Sequence, residues 1–395
     1  LSYLVRRLLE NGANTSFVHQ IADPAVSVSQ IVTDPVAELS EQWASDGKGR
    51  IEADLAIVKP RDILQPERAV ADGLALNEPM VRGQLLDEIS TALAGPFAAM
   101  PIVDGREIKE AAEPHFAICP HDRRERLGTV SFASRDTVQR AIGSAAGAAH
   151  RWDMTPVETR AAVLEAAADM FMRDRARLMA VMVRETGKTL ENAQADLREA
   201  IDFLRYYAQA ARKTLTKPDL LKGPTGERNT LQLRARGPIA AISPWNFPLA
   251  IFAGQVAAAL AAGNPVLAKP AEQSPITAWL AVRIFHEAGV PADCLHLLPG
   301  AGDVGGALVR DQRVKGVLFT GSNETAWTIQ RALADRRSAI VPFIAETGGI
   351  NAMIADSTAL PEQVVRDAVR SAFDSAGQRC SAPRVLFLQD EVAGR

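Results

Sequence analysis

Short apolar segments alternate with helical segments between residues 237 and 346. The apolar runs predict strands at Ile239–Ile242, Val266–Ala268, Leu295–Leu298, Gly316–Phe319 and Val341–Ile344. Helical patterns separate them at about 248–262, 275–287, 302–310 and 323–335. Buried strands that are joined by helical crossovers form a parallel sheet with helices on both faces. The pattern therefore predicts an α/β fold.

Capping signals mark helices both before and within this segment. Ser134 is a predicted N-cap of a helix that reaches to about residue 150, and Ser274-Pro275 is predicted to open the helix at 275–287 as N-cap and first helical residue. The run Thr155-Pro156-Val157-Glu158 predicts a capping box for a helix that extends to residue 174. Further helices are predicted at about 178–184 and 189–211.

The first hundred residues are less regular. Apolar residues in Leu1–Glu10 follow the spacing of an amphipathic helix, and residues 23–98 are predicted to be a connector with short helices, punctuated by prolines. The chain starts within a helical pattern and has no methionine before Met80. We therefore expect a fragment of a longer protein.

Composition limits the classes of function. Hydrophobic residues make up 47% and charged residues 23%, with a net charge of -3, which is ordinary for a globular protein. This balance gives no electrostatic reason to expect nucleic acid as a partner. The three cysteines are far apart and no cluster has metal-ligand spacing, so we expect a reducing compartment and no metal site. The most apolar stretch, 248–268, is interrupted by Gln255 and Gly263-Asn264-Pro265, which favours a buried helix and strand over a membrane span.

A glycine-rich run, Gly300-Ala301-Gly302-Asp303-Val304-Gly305, follows a predicted strand and opens a predicted helix. This placement is typical of a dinucleotide-binding fingerprint. However, the next predicted strand ends in Phe319-Thr320-Gly321-Ser322, without the acidic residue that usually binds the ribose. A glycine turn that packs a helix tightly on the sheet explains the run equally well.

Two further turns carry residues suited to a nucleotide. Lys269 and Glu272 follow a predicted strand, where an ammonium can donate to ribose hydroxyls and a carboxylate can accept from them. Gly321 and Ser322 open the next helix, where backbone N–H groups can hold a diphosphate. A surface ion pair and an ordinary helix cap are the alternatives.

Three residues have the chemistry needed for covalent catalysis on a carbonyl. Cys380 is a candidate nucleophile, Glu346 a candidate general base and Asn246 a candidate donor to an oxyanion. The neighbouring Arg379 can favour the thiolate if its side chain faces the sulfur. A buried structural cysteine and a surface acid are the alternatives for Cys380 and Glu346.

Five motifs in order resemble the NAD(P)-dependent aldehyde dehydrogenase family from about residue 100 to the end. They are Pro244-Trp245-Asn246-Phe247-Pro248, Lys269-Pro270-Ala271-Glu272, Phe319-Thr320-Gly321-Ser322, Glu346-Thr347-Gly348-Gly349 and Gly377-Gln378-Arg379-Cys380. The resemblance implies an aldehyde-dehydrogenase-like fold with a Rossmann-type parallel sheet and a truncated catalytic domain. It implies that Cys380 is the nucleophile, Glu346 the base and Asn246 the oxyanion donor.

The same resemblance assigns a cofactor site. Lys269 and Glu272 correspond to adenosine-ribose contacts, Gly321 and Ser322 to the diphosphate turn, and Gly302 and Gly306 to glycines near the adenine. Ser243 and Trp245 also belong to the expected cofactor contacts. A ribose-binding Glu272 would repel a 2′-phosphate, so we expect NAD rather than NADP.

The segments Glu346–Ile354 and Ser371–Ala382 resemble, more narrowly, the 1-pyrroline-5-carboxylate dehydrogenase branch, and particularly its bifunctional proline-utilization members. Residues 1–22, with Arg6 and Arg7, resemble the last helix of a proline dehydrogenase barrel. The expected domains are this remnant, a connector (23–98), an NAD-binding domain with a helical N-terminal part (99–345) and the start of a catalytic domain (346–395). FAD is expected only for the proline dehydrogenase domain of the full-length protein.

The expected reaction is NAD-dependent oxidation of L-glutamate γ-semialdehyde to L-glutamate in proline catabolism. An aldehyde dehydrogenase of different specificity and a non-catalytic NAD-binding fragment are the alternatives. The resemblance also implies a cytoplasmic homo-oligomer with a small-molecule aldehyde substrate, and membrane association of the full-length protein.

Overall fold

The protein is described here by a computed structural model, which covers Val5 and residues 17–34, 36–37, 58–93 and 95–394. The chain divides into two compact units, Leu1–Lys59 and Pro60–Arg395. The first unit contains helices α1 (Phe17–Ala22) and α2 (Val28–Ile31). Apart from Val5, the predicted helix at 1–10, including Arg6 and Arg7, lies outside the described residues. The domain boundaries predicted at 22, 98 and 345 stay predictions.

Helices and strands alternate through most of the second unit. Its helices are α3 (Pro79–Ala92), α4 (Arg135–Met154), α5 (Val157–Arg173), α6 (Arg175–Thr186), α7 (Leu190–Leu215), α8 (Ala250–Ala261), α9 (Pro275–Glu287), α10 (Gly302–Arg310), α11 (Asn323–Ala334), α12 (Pro361–Phe373) and α13 (Asp390–Ala393). Short 3₁₀ turns lie at Pro60–Asp62 and Asp374–Gly377.

The strands form one large sheet and three small ones. They are β1 (Phe97–Ala99), β2 (Ile102–Val103), β3 (Arg106–Glu107), β4 (His115–Ile118), β5 (Arg126–Val130), β6 (Asp219–Leu221), β7 (Asn229–Leu231), β8 (Ile239–Ile242), β9 (Val266–Lys269), β10 (Leu295–Leu297), β11 (Gly316–Gly321), β12 (Phe343–Thr347), β13 (Asn351–Ala355) and β14 (Pro383–Leu388). The seven-stranded sheet has the order β12-β11-β8-β9-β10-β2-β3, and β8 to β12 pair in parallel.

The strand order places a switch point between β8 and β11. From β8 the chain crosses to β9 and β10 on one side, and then returns to β11 and β12 on the other. At such a point the loops that follow two neighbouring strands diverge, which opens a crevice at the carboxyl edge of the sheet. The predicted α/β fold with a Rossmann-type parallel sheet is confirmed.

Alternating side chains of the strands enter two cores, because successive residues of a strand face opposite sides. Ile239 and Ala241 of β8 join the core that contains α5 to α9, whereas Ala240 and Ile242 join the core that contains α4, α10 and α11. The sheet is therefore covered by helices on both faces, as the unbroken apolar strands predicted.

Several local predictions were wrong. Thr155 does not cap α5, because its hydroxyl donates to the Arg151 carbonyl of α4 at 3.0 Å, and Pro156 precedes α5 without a side-chain cap. Ser274 and Pro275 do occupy the predicted N-cap and first helical positions of α9, although the Ser274 side chain makes no capping bond. The last strand of the parallel series is Phe343–Thr347 rather than Val341–Ile344, so Glu346 lies within it. Helix α6 extends beyond the predicted 178–184, and β1 to β7 were not predicted.

In the described part of the chain, every helix is too short or too polar to cross a membrane.

Candidate active site

One cleft of about 860 Å³ collects every residue that the sequence marked for catalysis or cofactor binding. It lies at the carboxyl edge of the large sheet, where the loops after β8, β9, β11 and β12 meet. The predicted residues on its walls are Ser243, Trp245, Asn246, Lys269, Glu272, Gly302, Gly306, Gly321, Ser322, Glu346 and Cys380. The fold thus brings together residues that are far apart in the sequence.

Lys269 ends β9 with its ammonium almost wholly buried. It donates to the Pro270 carbonyl at 2.8 Å and lies 3.9 Å from the Glu272 carboxylate. Burial lowers the pKa of the Lys269 ammonium, and the carboxylates of Glu272 and Asp303 oppose that shift. Glu272 is half exposed to the cleft. The pair therefore offers a donor and an acceptor side by side, the arrangement that vicinal hydroxyls require.

At the wall of the cleft, a side-chain network joins the ends of β8 and β11. The Ser243 hydroxyl donates to Oε1 of Gln255 at 2.7 Å, and Nε2 of Gln255 donates to the Thr320 hydroxyl at 3.1 Å. Gln255 is the residue that interrupts the apolar stretch of α8. In the sequence, Gln255 was recognised only as a polar break in a hydrophobic run. In the structure, its amide hydrogen bonds hold the two strand ends together at the switch point.

Two helix N-termini form the far end of the cleft. Gly302 begins α10, and a Cβ atom built there would meet nothing within 4 Å, so this turn presents open backbone. A Cβ at Gly306 would lie 2.6 Å from the Arg310 guanidinium, so that contact needs glycine or a movement of the arginine. Ser322 caps α11 by accepting from Thr325 N at 3.2 Å.

Cys380 follows an unusual backbone run. Ser375 and Ala376 have φ of 55° and 54°, and Gly377 has φ of 67°. Left-handed conformations cost non-glycine residues roughly 1–2 kcal/mol each, and they concentrate at functional sites. The Asn246 amide donates to the Gln378 carbonyl at 2.9 Å, which ties the loop after β8 to this run. The Cys380 side chain is exposed to the cleft, whereas Cys119 and Cys294 are buried.

Glu346 lies near the end of β12, opposite Thr320 of β11 in the strand pairing, and its side chain is exposed. Asn351 of β13 donates to the carbonyls of Cys380 and Ala382, at 2.5 and 3.1 Å. The Arg379 guanidinium donates to the carbonyls of Arg370 and Ser371 at the end of α12. These bonds place it at that helix terminus.

The cleft also contains residues that sequence reasoning missed. Thr320, Gln378, Arg310 and Arg384 line it, and Arg384 donates to the Gly377 carbonyl at 2.9 Å. Thr320 and Gln378 lie within recognised motifs, so the predicted site residues next to them could have indicated that they line the cleft. No local sequence pattern marked Arg384 or Arg310, because only tertiary packing brings them to the cleft.

Comparisons with known proteins identify the family of the chain. The model of the aldehyde dehydrogenase family matches residues 108–395. The chain is 47% identical to bifunctional protein PutA of Klebsiella aerogenes over 397 residues, a match that covers 100% of the chain and 29% of that protein. It is 37% identical over 295 residues to 1-pyrroline-5-carboxylate dehydrogenase of Anoxybacillus flavithermus, covering 73% of the chain and 57% of that protein.

Solved structures give the same picture. A crystal structure of a mutant of proline utilization A from Bradyrhizobium japonicum matches with a TM-score of 0.78 at 45% identity, covering 100% of the chain and 36% of that protein. Proline utilization A from Bdellovibrio bacteriovorus matches with a TM-score of 0.84 at 33% identity, covering 100% and 40%. The chain therefore spans 29% to 40% of the length of the proline utilization A relatives and 57% of the 1-pyrroline-5-carboxylate dehydrogenase.

Proposed function

Because the chain belongs to the aldehyde dehydrogenase family, we propose that its cleft binds NAD and oxidises L-glutamate γ-semialdehyde to L-glutamate. The observation that carries the proposal is the convergence of Cys380, Glu346 and Asn246 with the nucleotide-type turns in one cleft. The substrate rests on the similarity to proteins named 1-pyrroline-5-carboxylate dehydrogenase.

The proposed chemistry begins at Cys380. Its thiolate attacks the aldehyde carbon, a C–S bond forms, and the negative charge moves to the carbonyl oxygen. The Asn246 amide stabilises that oxyanion by donating to it, which requires the amide to turn from its present bond to the Gln378 carbonyl. When bound, NAD supplies the oxidising power by accepting a hydride. Cys380 is left as a thioester, and Glu346 removes a proton from the water that hydrolyses it.

The residues of the cleft fit the cofactor. Among the described residues, the buried Lys269 ammonium donates one hydrogen bond, to the Pro270 carbonyl, and an ammonium has further donors for ribose hydroxyls. Glu272 offers an acceptor to the same hydroxyls but would repel a 2′-phosphate, which favours NAD over NADP. The open turn at Gly302 and the capped turn at Gly321-Ser322 expose backbone at helix N-termini, where phosphates bind well.

The test is NADH production from a panel of aldehydes, with Cys380→Ala as the variant and Cys294→Ala as the matched control. We expect the semialdehyde to be the preferred substrate, Cys380→Ala to abolish turnover, and the control to keep it, because Cys294 is buried away from the cleft. Preference for another aldehyde would support the alternative specificity. NAD binding with no turnover of any aldehyde would support a non-catalytic fragment.

For the full-length protein we propose a role in proline catabolism, which the similarity to bifunctional protein PutA supports. We further propose, from the family resemblance of the motifs, that FAD serves a proline dehydrogenase domain and that the protein is a cytoplasmic homo-oligomer. The similarity of the whole chain, including residues before 60, to bifunctional relatives supports this proposal.

A further inference from the structure

Helix α7 contacts the segments next to two of the proposed catalytic residues, Cys380 and Asn246. Its contacts come from Asn192 and Asp196, which are four residues apart and therefore lie on one face of the helix. Neither belongs to the set of described residues that line the cleft. Any influence on the chemistry must act through the segments that they hold.

Asn192 holds the segment that leads to Cys380. Its amide donates to Oδ1 of Asp374 at 2.9 Å, and the same oxygen accepts from Ser375 N at 3.0 Å. The bond to Asn192 is the largest cause that lowers the pKa of the Asp374 carboxyl. Asp374 directly precedes the left-handed residues Ser375, Ala376 and Gly377. Such a run persists only where neighbouring contacts fix it.

Asp196 holds the loop that carries Asn246. Its buried carboxylate accepts from Ala250 N at 2.7 Å, at the start of the helix that follows the loop. Lys188 pairs with this carboxylate at 3.3 Å and lies 4.5 Å from the centre of the Phe247 ring. Phe247 is the residue next to Asn246. The Lys188–Asp196 pair therefore holds the loop through two contacts that follow Asn246 in the sequence, that of Lys188 with Phe247 and that of Asp196 with Ala250.

We propose that the first two turns of α7 set the separation between Cys380 and Asn246, with Asn192 and Asp196 as positioning residues. The bond from the Asn246 amide to the Gln378 carbonyl then forms because Asn192 and Asp196 of the same helix hold the two segments that it joins. A sulfur and an oxyanion donor must share one carbonyl, and a misplacement of about 1 Å can cost on the order of a hundredfold in rate. This inference rests on the proposed function for its kinetic readout.

Asn192→Ala is the main test, because Asn192 is only half buried and its own N–H is capped by Thr189. We expect kcat for semialdehyde oxidation to fall about tenfold, while the NAD dissociation constant and the melting temperature stay near those of the unmodified protein. Asn229→Ala, which removes the same side chain from a hairpin away from the cleft, is the matched control and should keep the full rate.

Two further variants separate position from mere stability. Asp374→Ala should lower kcat at least as far as Asn192→Ala, because it also removes the acceptor of Ser375 N and the partner of Arg379, whereas Asp374→Asn keeps the acceptor oxygen and should recover most of the rate. In an Asn246→Ala background, Asn192→Ala should have a much smaller effect, because the partner that it aligns is gone. Full kcat in both Asn192→Ala and Asp374→Ala would overturn the proposal, as would a rate that falls only in step with the folded fraction.

A second readout does not depend on the proposed function. Iodoacetamide alkylates an exposed thiol, and Cys119 and Cys294 are buried, so the alkylation rate reports on Cys380. We expect this rate to change severalfold in Asn192→Ala and to stay unchanged in Asn229→Ala. If the unmodified protein oxidises no aldehyde, the proposed function fails, and the alkylation rates alone decide the positioning proposal: equal rates in Asn192→Ala and the unmodified protein overturn it.

Discussion

The sheet core (β8–β11, residues 239–321) and the catalytic segment (β12–β14, residues 343–388) form opposite sides of one cleft but are held in different ways. In the sheet core, every residue of β8, β9 and β10 is buried. In the catalytic segment, β14 is exposed or half exposed along its whole length, and α12 has no buried residue.

This difference shows how each side keeps its geometry. Apolar layers above and below the sheet fix Lys269 and Gly321, since a close-packed interior resists displacement. On the other side, individual polar side chains hold Cys380: Asn246 on the Gln378 carbonyl, Asn351 on the Cys380 carbonyl and Asn192 on Asp374. The cofactor side should therefore tolerate the loss of a single polar contact better than the catalytic side.

The largest effect should come from the buried ion pair between Lys188, which precedes α7, and Asp196 of α7. Lys188→Met leaves the Asp196 carboxylate buried without its cation, since the two side chains are 4% and 0% exposed. Breaking a buried pair costs about 3–5 kcal/mol of unfolding free energy, which chemical denaturation would measure. Lys188→Met/Asp196→Asn removes both charges and should recover most of that loss. A double variant no more stable than the single one would show that the charge is not the cause.

A smaller effect compares the two sides directly through the same substitution. Val256→Ala in α8 removes methyl groups from a fully buried position, and should lower the free energy of unfolding by about 1–2 kcal/mol. Val369→Ala in α12 changes a side chain that is 55% exposed, and should stay within about 0.5 kcal/mol. Equal costs in denaturant titrations would contradict the contrast between the sheet core and the catalytic segment.

A pH-dependent effect should appear at the buried Glu185. Its carboxyl accepts from Ile276 N, Thr277 N and the Thr277 hydroxyl at the start of α9, and burial raises its pKa to about 7. The folded state therefore keeps a proton that the unfolded state loses above about pH 4.5. The stabilisation is complete below that pH and is lost as the pH rises through 7, by roughly 3 kcal/mol at most.

Glu185→Gln should flatten this dependence when melting temperatures are compared at pH 5 and pH 8. Glu287→Gln is the matched control, because the exposed Glu287 bonds to Arg173, which lowers its pKa, so that it titrates below this range. A slope that is unchanged in Glu185→Gln would show that the carboxyl does not retain its proton in the folded state.

The sheet core was predictable because its strands are continuous apolar runs of ordinary length between clear helical patterns. The position of β12, which begins two residues and ends three residues later than predicted, was not predictable, since its three central residues are exposed and its apolar pattern is weak. Thr155 shows the same limit, because a hydroxyl can cap the next helix or bond to the previous one, and only packing decides between them. Ser274 occupies the predicted N-cap position of α9, but Glu185, distant in sequence, accepts the hydrogen bond from Ile276 N in its place.

In the candidate site, too, some residues were predictable from the sequence and others were not. Cys380, Glu346, Asn246 and Lys269 were found because their residue types carry chemistry within recognisable motifs. Asn192 and Asp374 were not, because an amide and a carboxylate 182 positions apart carry no local signal that they meet. The residues proposed to perform chemistry could be inferred from the sequence, whereas those proposed to position them become visible only in the fold.

The most direct test of the proposed roles of Cys380 as nucleophile and Glu346 as base is to trap the covalent intermediate. Glu346→Gln removes the proposed base but leaves Cys380 in place, so the unmodified thiol can form a thioester that water hydrolyses slowly. Mass spectrometry after incubation with L-glutamate γ-semialdehyde and NAD should then show a γ-glutamyl group on Cys380, together with a burst of about one NADH per site. An unmodified Cys380, or an acyl group on another residue, would contradict the account.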